Sequence, residues 1–254
     1  MKALKKAARI LLVAAFWIGV WALAAWGVGK PLLLPSPVAV AGKLWELMQT
    51  AEFYLVTLNS LSNVAIGILF AILGGSLLAI LTFRSRLLRE LILPLMTVIK
   101  STPVASFIIL AFLWIGSANV PSFITLLIVL PVVWTNLDEG LSQIDPQLSE
   151  VAKVFRMSFG RRMRLLILPS VKPYFISACR ASLGLAWKAG IAAEIITMPR
   201  HHIGTMIGEG KLYLETTDMF AWTVTVILLS LVIELLFTSL LKRLDRKPIE
   251  EQEV

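Results

Sequence analysis

Five charged side chains stand inside otherwise apolar stretches of this 254-residue chain: Lys100, Arg180, Lys188, Glu194 and Glu234. Ionic groups so placed pair with one another or face a wet cavity, because bare charge in hydrocarbon is costly. Lys188 and Glu194 lie six residues apart. Either they join one network and neutralise each other, or Lys188 is left to attract an anion. Lys100 precedes Ser101, Thr102 and Pro103, and that run either kinks a helix or breaks it. A broken helix exposes backbone N–H donors that suit an anion. Arg180 is placed to snorkel to the inner interface, and Glu234 to turn toward the bundle.

Other chemistry is thinly represented, and no catalytic residue is assigned. Cys179 is the lone cysteine, so no intrachain disulfide or cysteine metal cluster forms. His201 and His202 are adjacent, without a third ligand at metal spacing, and read as a solvated loop pair, with no metal site. "GEGKLY" at Gly208 mimics a phosphate loop, but Leu212 follows the lysine and Thr205 stands where the first glycine is required. The net charge of +8 is not nucleic-acid binding, since no basic patch is interleaved with exposed aromatics.

The elements that must hold these residues are membrane spans. Apolar residues make up 57% of the chain and charged ones 16%, below the roughly 25% of a soluble domain. Runs of about 20 apolar residues cross the hydrocarbon as helices. The sequence therefore predicts an all-α membrane protein with about six spans, near 10–29, 56–83, 91–114, 120–137, 174–198 and 219–241. The fifth is the weakest, being interrupted by Arg180, Lys188 and Glu194. The first resembles a signal peptide in its basic start, but its apolar run exceeds the usual 7 to 15 residues, so it is read as a retained helix. Gly74, Gly75 and Ser76 form a small patch suited to tight helix packing. Trp17, Trp21 and Trp26 do not all fall at membrane edges, so some of them pack.

Lysine and arginine set the orientation. With the N-terminus inside, inner segments carry seventeen of them and outer segments four. Both termini are thus expected in the cytoplasm, together with the loop 138–173. Within it, Leu148, Val151, Ala152 and Phe155 form one apolar stripe at helical spacing. Asp145 caps that helix, Pro146 suits its first turn, and Gly160 is free to turn the chain. Such a helix either lies on membrane lipid, its arginines drawn to anionic headgroups, or docks a soluble partner.

The spacing Glu150-x-Ala152, then Arg156, then nine residues to Leu166 and on to Leu168-Pro169 resembles the EAA loop of ABC importer permeases. Val151 replaces the first alanine of that motif, and Arg156 stands where glycine is usual. "LLLPSPVAVAGKLWEL", "STPVASFIILAFLWIG", "IDPQLSEVAKVF", "AWKAGIAAEII" and "LYLETTDMFAWTVTVILLSLVIELLF" are similar to the nitrate/sulfonate/taurine branch, and together cover most of residues 31–237.

This resemblance implies a type I ABC importer permease in the bacterial inner membrane, a passive pathway and not an enzyme. Its solute would be a nitrate-, sulfonate- or taurine-like anion or related small molecule. It implies a second permease copy, ABC ATPase subunits that use ATP and Mg while this chain binds no cofactor, and an extracytoplasmic solute-binding protein. Glu150, Val151, Ala152, Phe155, Arg156 and Gly160 would couple to the ATPase. Ser101, Thr102, Pro103, Trp187, Lys188 and Glu194 are the candidate pathway residues. An ion-coupled carrier or channel working without an ATPase is the alternative, although matching inverted halves are not evident.

Overall fold

The structure is a computed structural model and describes residues 2–245. Side chains at 2–7, 10, 149, 153, 159 and 241–245 are outside the described set, so Lys2, Lys5, Lys6, Lys153, Lys242 and Arg243, counted above, lie outside it, as do Arg246 and Lys247. Helices run in the order α1 Lys2–Val28, α2 Pro37–Met48, α3 Ala51–Arg84, α4 Arg86–Ser101, α5 Val104–Trp114 and α6 Val120–Ser142. They continue as α7 Pro146–Val154, α8 Phe159–Arg162, a π-helical segment Met163–Ile167, α9 Leu168–Thr197, α10 Ile203–Leu212 and α11 Thr216–Asp245.

Local sequence sets many of the boundaries. Hydroxyl side chains cap the starts: Ser36 accepts from the Ala39 amide, Thr50 from that of Phe53 and Ser85 from that of Leu88. Pro37 occupies the first turn of α2, where its missing N–H costs nothing. Met198, in the left-handed conformation at φ 47°, terminates α9.

The core is a three-helix layer in which α6 is sandwiched between α3 and α9. Leucine is as comfortable against lipid tails as against another helix, so close packing and buried hydrogen bonds supply the cohesion. At Gly75 of α3 an added Cβ would sit 2.9 Å from the Val133 Cβ of α6. At Gly190 of α9 it would sit 2.6 Å from Val64 Cγ2 of α3. The small patch on α3 is therefore a packing surface. Trp134 Nε1 donates to Thr82 Oγ1 at 3.1 Å and ties α6 to α3. Of the three early tryptophans, Trp21 packs, stacking on Phe220 and donating to the Pro35 carbonyl, while Trp17 and Trp26 stay exposed.

Two spans differ from the expected pattern. The third, 91–114, is two helices, α4 and α5, meeting at 106°. The fifth lies within α9, which is 30 residues long yet too interrupted by charge to count as a span on composition alone. Helices α1, α3, α6 and α11 are long and apolar enough to cross, and the bent α4–α5 pair adds a fifth crossing if it is one span. At about 1.5 Å per residue, α9 extends roughly 45 Å, ample for the hydrocarbon layer. Of its charges, Glu194 is buried against protein, while Arg180 and Lys188 stay exposed on its surface.

Candidate functional site

The loop between α6 and α9 folds as the sequence predicts at its start and differently at its turn. Asp145 Oδ1 accepts from the Gln147 amide at 2.8 Å, with Pro146 opening α7. Ala152 is the stripe residue that seats α7 on the body, at 4% exposure. Leu148, Val151 and Phe155 remain exposed, and Val154 joins them; Phe155 is 73% exposed. Glu150 is exposed beside them.

The turn is made by Arg156, not Gly160. Arg156 has φ 45°, and the Met157 amide reaches back to the Ala152 carbonyl at 3.0 Å. That bond closes a Schellman-type helix end in which the left-handed position is usually glycine. Gly160 lies inside α8 with no positive φ. The reason is geometric: the reversal is needed directly after Phe155, where α7 runs out of hydrogen bonds, and not four residues later. Beyond the turn, α8 and the π-helical segment lead without a break into α9, so residues 159–197 form one continuous helical run.

The second region is the α4–α5 break. Lys100 Nζ donates to Thr135 Oγ1 at 2.7 Å, so the lysine is spent on α6. Ser101 and Thr102 both return their hydroxyls to the Val98 carbonyl, at 3.1 and 2.7 Å, which closes the end of α4. Pro103 then starts α5, whose first turn has no side-chain cap.

The third region is a buried polar knot that the sequence reading largely missed. Glu194 is fully buried, and its Oε2 accepts from Ser60 Oγ at 2.8 Å and from the Gly204 amide at 3.0 Å. Ser60 Oγ itself accepts from the Ile203 amide at 2.9 Å. The first amides of α10 are thus capped by side chains from α3 and α9, where a helix start leaves donors unpaired. Glu194 does not pair with Lys188, which is exposed; six residues place the two on different faces of α9.

His202 belongs to this knot and is buried, contrary to the solvated pair expected. Its Nδ1 lies 2.7 Å from the Arg200 carbonyl and must carry the proton, so Nε2 accepts from Asn63 Nδ2 at 2.9 Å. Asn63 also donates to the Ala118 carbonyl and accepts from Ser122 Oγ, which links α3 to the start of α6. His201 stays exposed. The "GEGK" run lies within α10 as regular helix and forms no phosphate-cradling loop.

Arg180 and Glu234 are both exposed, and both line a cavity between α9 and α11 whose wall includes Trp187. Trp187 is itself held by a hydrogen bond from Nε1 to the Val226 carbonyl at 3.1 Å.

Together these features define a multi-pass helical membrane protein with an exposed apolar face on α7 and a short helix, α10, capped by side chains of α3 and α9. A family model described as the binding-protein-dependent transport system inner membrane component matches residues 47–249, and the chain belongs to that family. It is 28% identical over 241 residues to SsuC of Bacillus subtilis, a permease assigned to aliphatic sulfonates transport, covering 93% of this chain and 85% of that one. It is 26% identical to the taurine transport permease TauC of Escherichia coli, over 88% of this chain and 83% of that one. Its identity to the nitrate import permease NrtB of Synechococcus elongatus is 28%, over 68% of each chain. The fold matches a solved bacterial ABC transporter for import of alginate, with TM-score 0.63, 17% identity, and 96% and 99% of the two chains covered. The chain is therefore an inner-membrane ABC importer permease, and its relatives are transport proteins, not enzymes. That membership displaces the ion-coupled alternative.

Proposed function

We propose that two copies of this chain form the translocation pathway of an ATP-driven importer for a small solute of the nitrate, sulfonate and taurine kind. ABC ATPase subunits, which use ATP and Mg, bind at the cytoplasmic face, and a solute-binding protein delivers cargo at the other. Loop 138–173 and both termini face the cytoplasm, in keeping with the excess of lysine and arginine there. The carrying observation is the exposed face of α7, where Val151, Val154 and Phe155 lie uncovered while Ala152 anchors the helix. A contiguous apolar patch beyond the lipid marks a protein contact.

Closure of the ATPases around nucleotide moves α7 as a unit, and the π segment passes that motion to α9. Alternating access then selects between two packed states of the bundle. Ser101, Thr102, Pro103 and the uncapped start of α5 line the passage, with Lys188 as an exposed cation on α9 that draws anionic solute inward. Trp187 forms wall, and Glu194 is structural.

Phe155→Ala and Glu150→Lys are expected to leave the protein inserted and folded while ATPase subunits no longer co-purify with it. Retention of both complex assembly and transport in the two variants would overturn the docking role.

A further inference from the structure

Arg180 on α9 and Glu234 on α11 face one cavity of about 150 Å³. Counted along the helix axes at about 1.5 Å per residue, Arg180 lies roughly 18 Å past the start of α9 and Glu234 roughly 16 Å before the end of α11. These antiparallel helices therefore bring them to a similar depth, inside the apolar layer. Among the described residues neither makes an ion pair or hydrogen bond, although both open on the same space. Two opposite charges left unpaired at such depth are costly unless a partner arrives between them.

The remaining lining is built for an occupant. Gly184 leaves the α9 side without a side chain, and a Cβ placed there meets nothing within 4 Å. Ser230 of α11 contributes a hydroxyl. Trp187 is fixed by its bond to Val226 and offers a rigid wall. A cavity near 150 Å³ holds a molecule about the size of benzene, so the occupant has roughly six or seven heavy atoms. A simple anion would satisfy Arg180 but would be repelled by Glu234. A molecule carrying both charges satisfies both.

We propose that the cleft between α9 and α11 is a solute station for a small zwitterion, an amino-sulfonate or amino-carboxylate. Arg180 holds the anionic group and Glu234 the ammonium group. This rests on the permease reading and deepens it, adding a selection step inside the membrane subunit to that made by the binding protein. Inorganic anions and plain alkylsulfonates are poor ligands here because they leave Glu234 uncompensated.

The test uses the complex of this chain with its ATPase in lipid nanodiscs, with radiolabelled taurine and β-alanine as probes and ethanesulfonate as the singly charged control. At least one zwitterion binds saturably, and a tenfold excess of ethanesulfonate fails to displace it. Glu234→Gln weakens zwitterion binding at least tenfold without weakening ethanesulfonate binding, and Gly184→Leu, which fills the cleft while leaving both charges, abolishes binding. The station is overturned if neither zwitterion binds the unmodified complex, if ethanesulfonate binds as tightly, or if Glu234→Gln and Gly184→Leu bind normally. It is likewise overturned if neutralising either charge dissociates the permease pair, which would make the charges an intersubunit contact. ATP hydrolysis stimulated by the loaded binding protein is measured in parallel. Its presence with no station keeps the permease reading, and its absence from the unmodified complex sinks that reading instead.

Discussion

Ser60 and Glu194, 134 positions apart in sequence, meet at 2.8 Å and jointly receive the first two backbone amides of α10. One hydroxyl and one carboxyl oxygen thereby fasten α10 to α3 and α9 at once. Since α9 follows α8 and the π segment without a break, the knot lies near one end of a continuous helical run, 159–197, whose other end begins just past the turn that ends α7. Gly204 is required at the contact, as a side chain there would collide with Glu194.

Removing the shared acceptor leaves buried donors without partners, each worth about 1–3 kcal/mol. Glu194→Ala is thus expected to destabilise the protein by about 2–4 kcal/mol, seen as a lowered melting temperature in detergent. Glu194→Gln keeps an acceptor oxygen and should lose less than half as much. Equal losses in the two variants would show that the carboxyl fills space and does not cap α10.

Arg156 carries the left-handed turn that ends α7, at a cost of about 1–2 kcal/mol for a residue with a Cβ. Arg156→Gly relieves that strain but widens the freedom of the unfolded chain, so the expected net gain is about 0.5–1 kcal/mol. Hydrogen exchange at the Met157 amide, which is bonded to Ala152, should slow by about two- to fivefold. Arg156→Val, β-branched at the same φ, should speed it. No change in either variant would mean that the turn is not the weak point of the loop.

How much could be read from the chain alone follows the range of the interactions. Spans, caps and the stripe of α7 depend on residues within a few positions of one another, so Asp145, Pro146, Ala152 and Phe155 were legible. The break at Ser101–Pro103 was visible as a breaker run, but its 106° bend depends on how α5 packs against α6 and α9. Gly160 looked like the turn because glycine tolerates left-handed backbone, yet the end of α7 fell at Arg156. Lys188 and Glu194 looked like a pair by proximity in sequence, while the true partners of Glu194 lie in α3 and α10. Asn59, Ser60 and Asn63, polar within an otherwise apolar run, were the available signal for that knot.

The neighbouring glycines of α3 should respond in opposite ways to the same methyl group. At Gly75 a Cβ would press on the Val133 Cβ at 2.9 Å, whereas at Gly74 its nearest neighbour is the mobile tip of Leu130 at 3.4 Å. Gly75→Ala is expected to destabilise by about 1–3 kcal/mol through forced separation of α3 and α6. Gly74→Ala should be neutral or stabilising by up to about 1 kcal/mol, because alanine is the better helix former. Thermal unfolding of the two variants side by side checks this, and equal behaviour would refute the close approach.

Lys43 joins α2 to the start of α11, with Nζ 3.2 Å from Glu46 and 3.3 Å from Asp218. Its ammonium is held above the usual lysine value of 10.5, chiefly by the hydrogen bond to Glu46; partial burial opposes this, and the charge and hydrogen bond of Asp218 add to it. A folded-state value raised in this way contributes stability that is fully present below the unfolded lysine value and is lost as pH rises through the folded one. Asp218→Asn should therefore lower stability by no more than about 1 kcal/mol at neutral pH, as expected for a partly exposed pair. The gap between the variant and the parent should stay constant at pH values well below 10.5 and close as pH rises past the raised folded value. Melting curves across that range decide it: a gap that widens with pH would mean that Asp218 acts through its own packing and not through Lys43.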